Sequence, residues 1–112
     1  MLVVDPWHWL TADAGFPPLP AVRRNSIRVA RFIEYAGGLE QMEGRSTLVE
    51  CRRRLDRQPC LGFMFVVRNG EDALHVFCPV CRKDEFLIHN WQRTRWAEGL
   101  PRPVRVEEVP RQ

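Results

Sequence analysis

The sequence lacks several features that would place it in a membrane or secretory class. No apolar run approaches the roughly 20 residues that a membrane-spanning helix needs. The amino end has no basic opening, and Asp5 and Pro6 interrupt its apolar start, so it does not match a secretory signal. The excess of positive over negative charge is also small, because 17 Lys and Arg against 14 Asp and Glu leave a net charge of +3. We therefore expect a cytoplasmic protein without a membrane partner, and bulk charge alone does not predict a polyanion binder.

Catalytic motifs are absent as well. The chain contains no G-x-S-x-G, no phosphate-cradling glycine loop and no H-E-x-x-H. The three histidines, His8, His75 and His89, fall in different segments and form no active-site pattern. These absences predict a protein that is not an enzyme and has no small-molecule substrate.

Length and proline placement predict the organisation of the chain. With 112 residues, 45% apolar and 28% charged, it matches one globular domain over 1–112. Seven of the nine prolines fall near the ends, which predicts an extended N-terminal arm (1–20) and a C-terminal tail (99–112). Between them we expect a helix with its connection (21–45) and a core (46–98). A core this small often needs a metal or disulfides.

A helix is predicted between residues 25 and 38. Asn25 or Ser26 can cap it, and a glycine pair supplies the stop. A strand over 26–36 stays open as the alternative, because a second set of residues shares one parity: Ile27, Val29, Ile33 and Tyr35. The apolar residues at helical spacing are Ile27, Ala30 and Ile33.

Strand patterns dominate the second half of the chain. β-branched and aromatic runs predict strands at Thr47–Cys51, Leu61–Val67, Ala73–Cys78 and Glu85–Trp91. Asn69–Asp72 separates two of these runs and begins with Asn-Gly, a strong hairpin signal. The sequence therefore predicts the α+β class: a small antiparallel sheet, one N-terminal helix and extended proline-rich arms.

The cysteines are spaced C-x8-C-x17-C-x2-C. In the predicted hairpin, residue 68 faces residue 73 and Cys60 faces Cys81. The strands then bring all four sulfur atoms to the end of the sheet opposite the turn. That arrangement suits a tetrahedral Zn²⁺ at roughly 2.3 Å from each sulfur. The candidate metal ligands are Cys51, Cys60, Cys78 and Cys81.

The segment Cys78-Pro79-Val80-Cys81 resembles the zinc knuckle of zinc-ribbon domains, and the resemblance extends over about residues 46–91. It implies a structural Zn²⁺, held by the four cysteines, in a closed site without catalysis. The chain departs from the pattern twice. Its first cysteine pair is C-x8-C, and Arg82 stands where many knuckles carry glycine.

Other interpretations of the cysteines stay open. Two disulfides fit the count but are rare in cytosolic proteins. A thiol oxidoreductase could use Cys78 and Cys81, although it leaves Cys51 and Cys60 without a role. Four separate buried thiols and an iron site are further alternatives. Zinc is favoured because the CxxC turn and the predicted hairpin both bring the cysteines to the same end of the sheet.

Arginines fill the loop between the first two cysteines and, with Asp56, give it a local charge of +3. This loop could contact the phosphates of a nucleic acid. Alternatively, its guanidinium groups neutralise a zinc–thiolate centre of charge −2. The candidate nucleic-acid-binding residues are Arg52, Arg53, Arg54 and Arg57.

The partner is therefore a nucleic acid or another protein. We expect a zinc-stabilised module that binds nucleic acid; the alternative is an adaptor whose helix and arms dock on another polypeptide. Base stacking by tryptophans is possible in the first case, but we favour packing, with residues 5–9 folding back as a latch. The tryptophans are Trp7, Trp9, Trp91 and Trp96.

Overall fold

Within residues 1–8 and 20–99, which are the residues that the computed structural model describes, the chain forms one α-helix and two β-sheets. The helices and strands are, in chain order, β1 (Leu2–Val4), a 3₁₀ helix (Pro6–His8), α1 (Pro20–Ala36), β2 (Gly44–Glu50), β3 (Arg54–Leu55), β4 (Gln58–Pro59), β5 (Phe63–Arg68), β6 (Leu74–Phe77), β7 (Asp84–Ile88) and a second 3₁₀ helix (Arg95–Glu98). The larger sheet has the strand order β1-β7-β6-β5-β2, and β3 pairs with β4. The predicted α+β class is confirmed.

The larger sheet is mixed. As predicted, β2, β5, β6 and β7 pair in antiparallel fashion. β1, by contrast, runs parallel to β7, with Val4 opposite Ile88. The prediction of an extended arm over 1–20 did not include this pairing: residues 2–4 are extended, but they form an edge strand whose Val4 is buried.

The segment after β1 folds back on the sheet, as the latch hypothesis expected. The Trp7 indole Nε1 donates to the carbonyl oxygen of Asn90 at 2.9 Å. The Asn90 side-chain amide in turn donates to Asp5 Oδ2 at 2.9 Å. Trp9, residues 16–19 and most of the C-terminal tail lie outside the described residues.

α1 confirms the predicted helix and excludes the alternative strand. It begins earlier than predicted, because proline is tolerated in a first turn where its missing N–H has no partner. Asn25 and Ser26 are therefore not caps but lie inside the helix. Gly38 follows the helix in the left-handed conformation (φ 87°), as the glycine stop predicted. In the described residues, no helix is long and apolar enough to cross a membrane.

α1 packs against one face of the larger sheet, here called the inner face; the opposite side is the outer face. The rings of Phe32 and Phe86 meet edge-on, with centroids 6.1 Å apart. Of the predicted apolar row, Ala30 and Ile33 are buried here, whereas Ile27 is 37% exposed. The core residues shared by helix and sheet are Val29, Phe32, Ile33, Ala36, Met64, Val66, Leu74, Val76, Phe86 and Ile88.

Trp91 belongs to this core, as the packing interpretation predicted. Its Nε1 donates to the carbonyl oxygen of Asp72 at 2.7 Å, and the Arg68 guanidinium lies 5.2 Å from its ring centroid. Trp96, in the second 3₁₀ helix, is half-buried against the same core. These two tryptophans stabilise the fold by packing.

β5 and β6 form the predicted hairpin around Asn69–Asp72, but with a register that differs by one residue. Arg68 lies opposite Leu74, whereas the predicted partner was Ala73. The Asn69 side-chain oxygen accepts two backbone N–H groups of the loop, at 2.9 and 3.0 Å. Asp72, not the Asn-Gly pair, takes the left-handed conformation (φ 63°). A longer loop, closed by a side chain, therefore shifts the ladder.

Candidate metal centre

The four cysteines lie at the end of the larger sheet opposite the β5–β6 loop. Cys51 follows β2, and Cys60 stands between β4 and β5. Cys78 follows β6, and Cys81 lies in the connection to β7. Their sulfur atoms are all within 4.8 Å of one another. The predicted convergence of the four sulfurs is confirmed.

The distances between sulfurs fit a shared ion and not disulfides. Two sulfur pairs are each 3.7 Å apart, whereas a disulfide bond is about 2.05 Å long. The edge of a tetrahedron with metal–sulfur bonds of about 2.3 Å is roughly 3.8 Å. The cluster could therefore hold a four-coordinate metal ion.

The predicted pairing of Cys60 opposite Cys81 in the ladder is not found, although all four sulfurs lie close to one another. The predicted register was wrong by one residue, and the β5–β6 ladder ends at Phe65 and Phe77, before the cysteines. The β5–β6 ladder therefore does not itself reach the sulfurs, whereas the Cys51 N–H still donates across to the Gly62 carbonyl at 2.9 Å.

The C-x8-C spacing is explained by a small hairpin. β3 and β4 pair between Cys51 and Cys60, and the Cys60 N–H donates to the carbonyl of Arg53 at 2.8 Å. Asp56 and Arg57 both have positive φ (49° and 67°), as a two-residue type I′ turn requires. The hairpin brings the ends of the loop together, so the longer spacing still delivers two sulfurs to one point.

The second pair forms a tight turn through Pro79 and Val80. The Cys78 N–H donates to the Lys83 carbonyl at 2.9 Å, which closes the turn. Arg82 has a φ of 62°, the left-handed conformation that favours glycine. Arg82 therefore takes the backbone conformation for which many zinc knuckles use glycine.

Backbone N–H groups point at the sulfurs. In three cases the donor is the residue two positions after the cysteine, so the local chain path alone aims the N–H at its sulfur. Such bonds favour the thiolate, which is the metal-binding form. The donors are Arg53 for Cys51, Gly62 for Cys60 and Lys83 for Cys81.

The thiols differ in acidity. Burial raises the pKa of Cys51 to about 12. At Cys60 the N–H donor lowers the pKa, but burial and the thiols of Cys78 and Cys81 together outweigh it and leave the pKa raised. At Cys81 burial raises the pKa, but the N–H donor and the other thiols outweigh it and lower the pKa to about 7. Neighbouring thiolates repel one another, so ionisation of one thiol disfavours ionisation of the next. A bound cation would let all four ionise.

Gly62 is required by the close approach of the two cysteine loops. A Cβ there would lie 2.7 Å from Val80 Cγ2 and 2.9 Å from Cys78 Sγ. We expect Gly62→Ala to displace Cys78, to destabilise the protein by about 1–3 kcal/mol and to weaken metal retention. Denaturant unfolding and competition with a chelator would measure the two effects.

Gly70→Ala is the matched control for this prediction. A Cβ at Gly70 would meet only Met42 Sδ, at 3.8 Å, which is ordinary contact. Equal stability and equal metal retention in the two variants would contradict the packing role of Gly62.

Arg52 is held against the body of the protein. Its Nε lies 2.8 Å from Glu85 Oε1, and its Nη1 donates to Asn25 Oδ1 at 3.0 Å. Arg28 binds both oxygens of the same Glu85 carboxylate, at 2.6 and 2.9 Å. Sequence reasoning missed Glu85, which is buried between two arginines. Arg52 therefore fastens the start of the cysteine loop to α1 and β7.

The other loop arginines are placed differently. Arg53 is half-buried, whereas Arg54 and Arg57 are exposed on β3 and in the turn after it. Among the described residues, the side chains of Arg54 and Arg57 have no hydrogen-bond or ion-pair partner. These two guanidinium groups are available to a ligand.

The histidines contribute no ligands to the cluster. His75 Nε2 lies 2.7 Å from Asp84 Oδ1, on the outer face, and His89 follows β7. Within the described part of the chain, the four cysteines are the only group of three or more side chains placed to share a metal ion.

The cluster is compatible with a zinc site. No family model, no curated protein and no solved structure matches this chain. The resemblance to zinc ribbons therefore rests on the cysteine cluster and on the turn at Cys78–Cys81.

Proposed function

We propose that the chain is a non-catalytic binding module, fastened by one structural zinc ion, whose arginine hairpin contacts the phosphates of a nucleic acid. The observation that carries the zinc part is the cluster of four sulfurs with 3.7 Å edges. All-thiolate donor sets select zinc or iron over Mg²⁺ and Ca²⁺. Four thiolates fill a tetrahedral sphere and leave no position for a reacting water.

The arginine hairpin is the pair of strands β3 and β4 with their turn, residues 54–59. Arg54 and Arg57 carry its positive charge, and both side chains are exposed. Arg52, by contrast, has its charge opposed by Glu85. We therefore assign phosphate contact to Arg54 and Arg57 and a structural role to Arg52. Guanidinium groups suit this contact because they bind phosphate oxygens in a bidentate manner.

The double variant Arg54→Ala/Arg57→Ala tests the contact. We expect weaker binding to a single-stranded oligonucleotide and a slope of log affinity against log salt that is less steep by about 1.4, since each phosphate contact on a single strand adds about 0.7. Fluorescence anisotropy across a salt series measures both quantities.

Arg93→Ala/Arg95→Ala is the matched control, because it removes the same charge elsewhere. Both residues are exposed and follow Gln92, whose side chain bonds the carbonyl of Asp72 in the loop opposite the cysteines. Equal losses in the two double variants would mean that only net charge matters. A stoichiometric protein partner, retained after nuclease treatment and without oligonucleotide binding, would favour the adaptor alternative.

A further inference from the structure

The outer face of the larger sheet is lined by aromatic side chains. Strand alternation places Met64 and Val66 on the inner face, so Phe63 and Phe65 point to the outer face. In the described part of the chain, the helix that packs on the sheet lies on the inner face. Phe63 is 44% exposed, and the neighbouring outer-face side chains keep part of their surface in solvent.

Three of these side chains form a row of ring contacts across β5 and β6, and Phe63 lies on the same face two residues before Phe65. Phe65 lies opposite Phe77 in the register, with ring centroids 5.6 Å apart. The His75 ring lies 5.1 Å from that of Phe77. Phe65 also covers Gly44 on β2, where a Cβ would come within 2.4 Å of its ring. We call Phe63, Phe65, His75 and Phe77 the aromatic strip.

The strip reaches the end of the sheet that carries the arginine hairpin. Phe63 opens β5, and β4 ends at Pro59, with Cys60 between them. Two carboxylates border the strip: Glu50 lies opposite Phe63, and Asp84 lies 2.7 Å from His75. The tilted rings of the strip therefore lie at the same end of the sheet as two guanidinium groups that have no partner among the described residues.

We infer that the aromatic strip is a base-stacking surface for single-stranded nucleic acid, with the adjoining arginine hairpin contacting its phosphates. Every base presents a planar π face, so stacking on aromatic side chains stabilises the complex whatever the base sequence. A duplex hides those faces, so the strip selects unpaired strands. The charge of the hairpin complements the phosphates, while the strip itself supplies the uncharged contact. This inference rests on the proposed function.

The experiment compares Phe63→Leu and Phe77→Leu with the intact protein. Leucine keeps the apolar character and removes the π face. The probe is a labelled oligothymidylate of about 12 nucleotides, within the site sizes of known single-strand-binding folds, beside a duplex of the same length. We expect tighter binding to the single strand and a loss of about tenfold in each variant, with an unchanged salt slope.

Met42→Ala is the control, since Met42 is an exposed apolar residue at the opposite end of β2. It should bind like the intact protein. Metal content and thermal unfolding verify that each variant is folded. Glu50→Gln, which removes the carboxylate opposite Phe63, should tighten binding.

The outcomes separate the two proposals. Salt-dependent binding that is equal for single strand and duplex, and unchanged in the phenylalanine variants, overturns the stacking inference and leaves the phosphate contact standing. Absence of binding to either probe contradicts the proposed function itself. A concentration-dependent dimer that Phe63→Leu dissociates, with oligonucleotide affinity unchanged, identifies the strip as a surface for a second copy and overturns the inference.

Discussion

Chelation of the proposed zinc ion is expected to unfold the sheet and not merely to loosen the cysteine loops. The ion would join β2, β4, β6 and the connection into β7, which are the elements that end at the cysteines. Zinc binding in model fingers contributes about 10–16 kcal/mol, comparable to the whole stability of a small domain, about 5–15 kcal/mol. Protein purified without added metal should contain one zinc ion per chain. Complete removal should abolish the far-UV strand signal.

Serine variants of the ligands refine this prediction. Cys51→Ser and Cys78→Ser should lose metal binding and folded structure to the same extent, because both sulfurs lie in one cluster. Leu61→Ser is the control, since Leu61 adjoins Cys60 but is 88% exposed. A thiol oxidoreductase would instead lose turnover in Cys78→Ser alone. A far-UV spectrum unchanged after complete metal removal, or iron in place of zinc, would contradict the proposal.

The metal centre could be predicted because its signals are local. Cys78 and Cys81 stand at the spacing of a knuckle, and the strand pattern on either side of Asn69–Asp72 implies a hairpin. A hairpin brings its two open ends together whatever its exact register. The error of one residue in the predicted ladder therefore left the cluster of four sulfurs intact.

The sequence contains no recognisable signal for the hairpin inside the C-x8-C loop. Its strands are two residues long, and one of them contains Pro59. Its turn places Asp56 and Arg57 in the left-handed conformation, which sequence rules assign to Asn-Gly or Asp-Gly. The need to bring two sulfurs to one point outweighs local preference at Arg57, and the same holds for Arg82.

Two other features depend on contacts between distant parts of the chain. β1 is three residues long and pairs in parallel with β7, more than 80 residues later, so no local pattern marks it. Glu85 is buried because the β6–β7 register shifts beside it: Phe86 lies opposite Val76, and Asp84 opposite Phe77. The extra residue of this bulge turns its side chain inward, against the alternation that the sequence predicts.

Glu85→Gln is expected to destabilise the protein by about 3 kcal/mol, because the loss of one partner leaves buried charge uncompensated. The Glu85 side chain is 8% exposed and that of Arg28 is 15% exposed, so water replaces the lost interaction poorly. Arg52 loses its partner in the same step, which frees the chain after Cys51 from β7. Denaturant unfolding of the metal-loaded protein measures the change, and faster metal loss to a chelator should accompany it.

Asp72→Asn supplies the comparison at a solvent-exposed pair. Asp72 is 40% exposed and pairs with Arg68 at 2.9 Å, and Asn tolerates its left-handed backbone. Exposed pairs contribute at most about 1 kcal/mol, so this variant should stay within that range. Replacing the buried carboxylate and its main partner together, in Arg28→Met/Glu85→Leu, should recover much of the loss. If Glu85→Gln lowers the free energy of unfolding no more than Asp72→Asn does, the Glu85 carboxylate does not fasten the metal end of the sheet to α1.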